Sequence, residues 1–295
     1  METIQKTIRT GLLKYGSLSE IIKKNGVLVM IDSVIQLFLD NASKRFYRPR
    51  GTDYGLSEVF FRSKYIDQFK RYACAIKEVR EMESEISVLE IGAGGEGISY
   101  FSNLFKKCDF FLFDVRKDAF NGLNKRQAII GDGCRLPFRD KAFDVIVSVD
   151  TVEHIPKSLR HNFYKELKRV CKKRIILTCP IQSSDGIFQG KKYDITFQYL
   201  YERNYGVRET NTAQHIAAGH PTLEEIKRAI PDSAIYGYQN CECWLKYMLF
   251  SSKPFLGLFC GLLYYFLWKR NNDKPPYWGA IIVSDPQRYS DNVFY

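Results

Sequence analysis

Val88-Leu89-Glu90-Ile91-Gly92-Ala93-Gly94-Gly95-Glu96-Gly97 is the stretch on which the fold turns. A short apolar run, suited to a buried strand, enters a cluster of glycines with nothing between. Glycine permits a tight turn and lets backbone N–H groups approach a ligand closely at the N-terminus of the following helix. Gly92, Gly94 and Gly97 fit G-x-G-x-x-G, a nucleotide-binding spacing that is weak when it stands alone. Asp114 closes the next apolar run twenty residues after Gly94, where a carboxylate can accept both hydroxyls of a ribose.

Outward from this stretch the texture is consistent. Strands are expected at Val88–Ile91, Phe110–Asp114, Ala128–Gly131, Phe143–Val149 and Arg174–Thr178, with helices at Gly97–Phe105, Asp118–Leu123 and Ser158–Cys171. Near-continuous apolar strands alternating with helices predict a parallel sheet covered on both faces, whose ligands sit at the carboxyl ends of the strands. Residues 1–86 read as a helical extension. They hold an apolar helix at Val27–Leu39, a basic linker at Ser43–Gly55 and a long helical run at Ser57–Glu83.

Composition narrows the class. The chain has 295 residues and a formal charge of +11, but the excess is +4 over 1–86, +4 over 87–243 and +3 over 244–295. Charge spread this evenly does not make a nucleic-acid surface, and no nucleic-acid partner is expected. The eight cysteines include no C-x-x-C pair, and METIQKTIRT lacks the apolar core of a signal peptide. A reducing, cytoplasmic setting is the expectation.

Two further runs sharpen the reading. Ala128-Ile129-Ile130-Gly131-Asp132-Gly133 places an acid directly after the third strand, and Phe143–Asp150 is followed by Thr151-Val152-Glu153-His154-Ile155. With these four ordered motifs, the chain resembles the class I S-adenosylmethionine-dependent methyltransferases, especially the small-molecule type 11 group. The resemblance is close over about residues 86–180 and looser over 205–285. It implies an α/β fold with a seven-stranded, mostly parallel, Rossmann-like sheet over 87–295, interrupted by a hydrophobic helical insertion at 242–270. The sixth and seventh strands are expected at Ala234–Gln239 and Gly279–Ser284. It also implies roles: Glu90, Gly92 and Gly94 at the methionine end of S-adenosylmethionine, Asp114 at the ribose, and Asp132 with Gly133 or Cys134 at the adenine edge. Asp150 falls beside the sulfonium. The family's third glycine falls at Glu96, between Gly95 and Gly97.

Methyl transfer from a sulfonium is an in-line displacement governed by alignment, and an oxygen acceptor also needs a base or a metal. His154, just past the fourth strand, is the candidate base beside Asp150; the alternative is a histidine packing the strand–helix junction. Asp150-x-x-Glu153-His154 also resembles the acid-x-x-Glu-His arrangement of certain metal-assisted O-methyltransferases. His215 or His220 could add a fourth ligand, but nothing in the sequence joins them, and no metal is assigned.

Beyond the fifth strand, Ile181–Tyr205 reads as a long loop suited to an acceptor pocket or lid. Gln214–Glu225 is similar to a segment of methyltransferases from polysaccharide gene clusters, with Gln214 in place of their glutamate; Thr222 and Glu225 there form a helix N-cap pair. The uncharged run 254–268 would reach about 22 Å as a helix, short of a bilayer's roughly 30 Å core. Helices packed on the sheet, or a peripheral membrane contact through 244–268, account for it better. The expected acceptor is therefore a small molecule, a glycan or a lipid-linked compound. The rivals are a dinucleotide-dependent oxidoreductase and a non-catalytic cofactor-binding module at a membrane surface.

Overall fold

The computed structural model describes residues 66–80, 82, 85–94, 97–98, 108–120, 128–252 and 269–284. The strands are β1 (Ile86–Ile91), β2 (Cys108–Asp114), β3 (Ala128–Ile130), β4 (Phe143–Val149), β5 (Cys171–Pro180), β6 (Ser233–Asn240) and β7 (Tyr277–Ser284). They form one seven-stranded sheet in the order β3-β2-β1-β4-β5-β7-β6. β1 to β5 pair in parallel, and β7 runs antiparallel between β5 and β6. The sheet falls in one compact unit, within residues 68–245 and 270–284.

The central strands are unbroken apolar runs because both faces are covered. Val88, Leu89 and Ile91 of β1, Val145, Ile146, Val147 and Val149 of β4, and Ile175, Ile176 and Leu177 of β5 are all buried. From β1 the chain steps outward to β2 and β3, then returns to β4 on β1's other side. The connections that follow β1 and β4 therefore leave in opposite directions, the switch point at which such sheets bind their ligands. The expected sites fall there.

Helices cover the sheet with single apolar faces. α1 (Ile66–Arg80) buries Tyr72, Ala75, Ile76 and Val79, and α2 (Arg160–Val170) buries Phe163, Tyr164, Leu167 and Val170, both near 3.6-residue spacing. α3 (Gly190–Tyr205), α4 (Thr210–Ala218), α5 (Leu223–Ala229), α6 (Cys241–Ser251) and the short α7 (Lys269–Asn272) follow. Thr222 caps α5 as expected, its side chain accepting from the Glu225 N–H at 3.0 Å.

Several boundaries differ from expectation. β3 ends at Ile130, so Gly131 belongs to the turn, and Cys171 opens β5 rather than closing α2. The largest correction concerns Ile181–Tyr205, of which only the first part is loop. Residues 190–205 are α3, which buries Tyr193, Asp194, Phe197 and Gln198 along one face and ends in Gly206 at φ +68°. Lysines and tyrosines along its other face hide that periodicity from a composition-based reading. The expected helices Gly97–Phe105 and Asp118–Leu123 lie partly outside the described residues, with a 3-10 turn at Lys117–Phe120. Residues 1–65 and 253–268 lie outside them altogether, and with them the basic linker and most of the apolar insertion. Among the described residues no helix is long and apolar enough to cross a membrane.

α1 is anchored by a buried ion pair, Arg174 Nη1 of β5 to Glu78 Oε2 at 2.9 Å. Removing one partner leaves the other charged in a site with little water to solvate it. Arg174→Ala should therefore cost about 3–5 kcal/mol in urea-unfolding free energy. A loss under about 1 kcal/mol would show that the pair is solvated.

Candidate active site

The glycine loop hangs from β2. The N–H groups of Gly92 and Ala93 both donate to Phe113 O, at 2.8 and 3.2 Å, and Gly92 and Gly94 take left-handed φ values of +74° and +57°. A Cβ on Gly92 would lie 2.0 Å from Thr151 Oγ1, so the loop after β1 touches the turn after β4 without room for a methyl. Asp114 holds the loop from the side: its Oδ2 accepts from the Gly94 N–H at 2.9 Å and its Oδ1 from the Arg116 N–H at 2.8 Å. Each carboxylate oxygen keeps a second lone pair for a ligand hydroxyl.

Glu90 lies beneath the loop. It is fully enclosed and accepts from the Ile98 N–H and, at 3.0 Å, from Tyr72 Oη. Burial pushes its carboxyl up to about 8. Gly97 is the glycine that lets it fit, since a Cβ there would lie 2.2 Å from Glu90 Oε2. Glu90 thus shapes the loop from inside; Gly95 and Glu96 lie outside the described residues. On the far side of β2, Asp132 is exposed and its Oδ1 accepts from the Cys134 N–H at 2.8 Å. Gly133 sits where a Cβ would press on Phe163 and Ile91 at 3.0 and 3.2 Å. Gly92, Gly94, Asp114, Asp132 and Gly133 therefore line the carboxyl ends of three neighbouring strands, with Glu90 supporting them.

The other side of the switch point starts at Asp150. Its φ is +47°, a left-handed conformation that aspartate tolerates better than most residues, and its N–H donates to Thr178 O at 2.8 Å. Its carboxylate pairs with Arg71 of α1, whose guanidinium lies 5.0 Å from the Trp278 ring centre, and Tyr238 Oη donates to it at 3.4 Å. Next comes a 3-10 turn, Val152–His154. Glu153 is fully buried within it, and neither of its carboxylate oxygens has a hydrogen-bond partner among the described residues. Burial first, then the nearby Asp150, holds its carboxyl well above the usual range.

His154 meets α4. Its Nδ1 lies 3.1 Å from Gln214 Oε1 and its Nε2 lies 3.3 Å from His215 Nε2. Burial, and then His215, push the His154 imidazole down to about 4, so the ring is neutral at physiological pH. His215 is held in turn by Asp194 of α3, its Nδ1 lying 2.8 Å from Asp194 Oδ2. His220 Nε2 reaches the same oxygen at 2.8 Å, and Trp278 Nε1 donates to Asp194 Oδ1 at 2.6 Å. Burial alone would raise the Asp194 carboxyl; the hydrogen bonds from His215 and His220 outweigh it and keep the group below its ordinary value.

Arg160 of α2 fixes the turn against α4 and α5. It is fully buried, donates to the carbonyls of Val152, Ile155, Ala218 and Gly219, and pairs with Glu225 at 3.5 Å. The structure thus gathers Asp150, Glu153, His154 and His215 on one side of the switch point. Sequence reasoning missed Asp194, Arg160, Arg71 and Trp278. Asp194 carried a usable signal, an acid on the apolar face of a helix that ends in glycine.

This combination of sheet order, glycine loop and strand-end acids defines the class. Residues 89–179 match the family model described as a methyltransferase domain. They form a class I, type 11 methyltransferase domain of the S-adenosylmethionine-binding kind. A fatty-acid O-methyltransferase from Mycolicibacterium smegmatis is 29% identical over 101 residues, 31% of this chain and 37% of that protein. The chain thus matches little more than a third of that relative's length. Similar solved structures include geranyl diphosphate C-methyltransferase from Streptomyces coelicolor A3(2) (10% identity, TM-score 0.49, 80% of this chain and 86% of that one). A SAM-dependent methyltransferase from Archaeoglobus fulgidus is also similar (13%, TM-score 0.45, 76% and 96%). So is YcgJ from Bacillus subtilis (19%, TM-score 0.44, 73% and 97%).

The contact between the two sides gives a direct test. Gly92→Ala forces its methyl into Thr151 at a left-handed φ, so S-adenosylmethionine affinity measured by calorimetry should fall at least about tenfold and stability by about 1–3 kcal/mol. Wild-type affinity would mean that the loop after β1 does not shape the cofactor site.

Proposed function

We propose that the chain transfers a methyl group from S-adenosylmethionine to an oxygen of a small-molecule, glycan or lipid-linked acceptor. The observation that carries this reading is the gathering of these residues at the carboxyl ends of β1 to β4. Gly92, Gly94, Asp114, Asp132 and Gly133 line the strand ends on the cofactor side, and Asp150 and His154 follow β4 on the acceptor side. Glu90 acts on the methionine end through the loop it supports, Asp114 accepts from the ribose hydroxyls, and Asp132 with Gly133 borders the adenine. Asp150, held by Arg71 and Tyr238, borders the sulfonium.

An in-line displacement needs the acceptor oxygen aligned with the methyl and relieved of its proton. His154 is the acceptor-side residue in this scheme. An imidazole pushed down to about 4 is a weak base, so it takes a hydroxyl proton poorly unaided. Oxygen as the methylated atom is favoured by the name of the Mycolicibacterium relative, a fatty-acid O-methyltransferase. A lipid-linked acceptor draws further on the uncharged run 254–268 bracketed by Lys253 and Lys269-Arg270.

Calorimetry of the full chain should show binding of S-adenosylmethionine and none of NAD; the reverse would overturn the reading in favour of an oxidoreductase. Asp114→Ala removes a charged acceptor, worth about 1.5–3 kcal/mol, and should weaken S-adenosylmethionine binding about 10- to 100-fold. For the acceptor side, labelled methyl groups should move from S-adenosylmethionine into the glycan or lipid fraction of a cell extract. His154→Ala should cut that transfer about a hundredfold or more with cofactor affinity retained. A cofactor-binding protein that labels no fraction would instead be a non-catalytic module.

A further inference from the structure

His154 and His215 face each other nitrogen to nitrogen, and their outer partners decide what lies between them. His215 Nδ1 faces Asp194 Oδ2, and His154 Nδ1 faces Gln214 Oε1. Both partners accept only, so each Nδ1 carries the proton and each Nε2 is left with a lone pair. The two Nε2 atoms lie 3.3 Å apart with the rings meeting edge to face, their centres 4.6 Å apart. Glu153 adds its carboxyl group, with Oε1 3.9 Å from His215 Nε2 and both oxygens buried without a hydrogen-bond partner among the described residues. Three candidate ligand atoms thus lie close together, two of them, from Glu153 and His215, buried where unpaired acceptors are costly.

We propose that Glu153, His154 and His215 form a binding site for one divalent transition-metal ion, ligated by the two Nε2 atoms and the Glu153 carboxylate. The spacing suits it. Two nitrogens about 2.1 Å from a common ion at a tetrahedral angle lie about 3.4 Å apart, and the ligand atoms of all three residues lie within 4.8 Å of one another. Asp194 and Gln214 are the positioning residues, each accepting from the Nδ1–H of a ligand ring and fixing its tautomer. Two imidazoles and a carboxylate select zinc, iron, cobalt or manganese over magnesium, which prefers oxygen ligands throughout.

Asp150 is not part of this set, because its carboxylate is engaged by Arg71 and Tyr238. Asp194, His215 and His220 also lie close together, but both rings and Trp278 already donate to Asp194, so that cluster is closed by protons. A Gln214 amide turned over would let His154 donate to His215, yet Glu153 would still lack a partner. The use of the ion rests on the methyl-transfer reading: an acceptor hydroxyl bound to it would lose its proton more readily. The binding itself does not depend on that reading.

The test is calorimetric titration of the chelator-treated full chain with Zn2+, Mn2+ and Mg2+ in turn, without S-adenosylmethionine, alongside the visible spectrum of the Co2+-loaded protein. One equivalent of Zn2+ should bind, with Mg2+ at least a hundredfold weaker and visible d–d bands for Co2+. Glu153→Gln, which keeps the side-chain volume, and His215→Ala should each weaken Zn2+ binding at least a hundredfold. Asp194→Asn should weaken it about 10- to 100-fold through the ring it orients. His220→Ala should change it less than about threefold. Circular dichroism of each metal-free variant separates loss of the site from loss of the fold. Zn2+ should raise the Tm of wild type but not of Glu153→Gln. Failure of the metal-free wild type to take up Zn2+, Mn2+ or Co2+ would overturn the proposal. So would wild-type Zn2+ affinity in folded Glu153→Gln and His215→Ala, leaving a histidine pair that shares a proton. S-adenosylmethionine binding by the chelated protein tests the methyl-transfer reading separately.

Discussion

One buried carboxylate organises the part of this protein that holds His154 and His215. Asp194 has no solvent exposure, and three N–H groups from three places in the chain converge on it: His215 in α4, His220 just after α4, and Trp278 in β7. A carboxylate without such donors would take up a proton or draw in water. Satisfying it therefore dictates where α4 and the turn before α5 lie relative to α3 and the outer part of the sheet. Trp278 repeats the same constraint in apolar form. It stacks on Trp244 with ring centres 4.7 Å apart, while Phe197 of α3 packs edge-on against Trp244.

A second buried charge does the matching work for the turn after β4. Arg160 spends its donors on carbonyls at Val152 and Ile155 on one side and at Ala218 and Gly219 on the other. Guanidinium geometry makes this possible, since a planar fork can serve several fixed acceptors at once. Asp194 places His215 and Arg160 places His154, and the 3.3 Å approach of the two rings follows from both. The placement of both rings is thus set by two buried charged groups.

The glycine-loop half of the candidate site was legible in the sequence because its determinants are local. Gly92 and Gly94 mark a turn that must follow β1, Asp114 ends the next buried run, and Asp132 ends the one after. In a parallel sheet, the residue that ends an apolar strand lies at the carboxyl edge by construction. Glu90 was legible in position, but its burial under the loop depends on Tyr72, a residue of α1 that no local motif announces. The capped helix at Leu223–Ala229 was also visible, because a cap is a four-residue signal. The segment before it was misread for the opposite reason. α3 presents its apolar face only at Tyr193, Phe197 and their neighbours, with Asp194 set among them, and a buried acid looks like a loop residue until its donors are known.

By itself the sequence determined an α/β chain with a parallel sheet, a glycine loop after β1, and acids at successive strand ends, since strand burial and turn chemistry are encoded in short runs. It also placed Glu153 and His154 together. What only the tertiary structure decided was their company. His215 lies sixty-one residues beyond His154, and Asp194 lies on a helix that the residue pattern did not reveal. Asp150, only three residues before Glu153, is drawn off by Arg71 from α1. Contacts between elements far apart in sequence depend on how buried charges find their partners, and that is settled only when the elements pack.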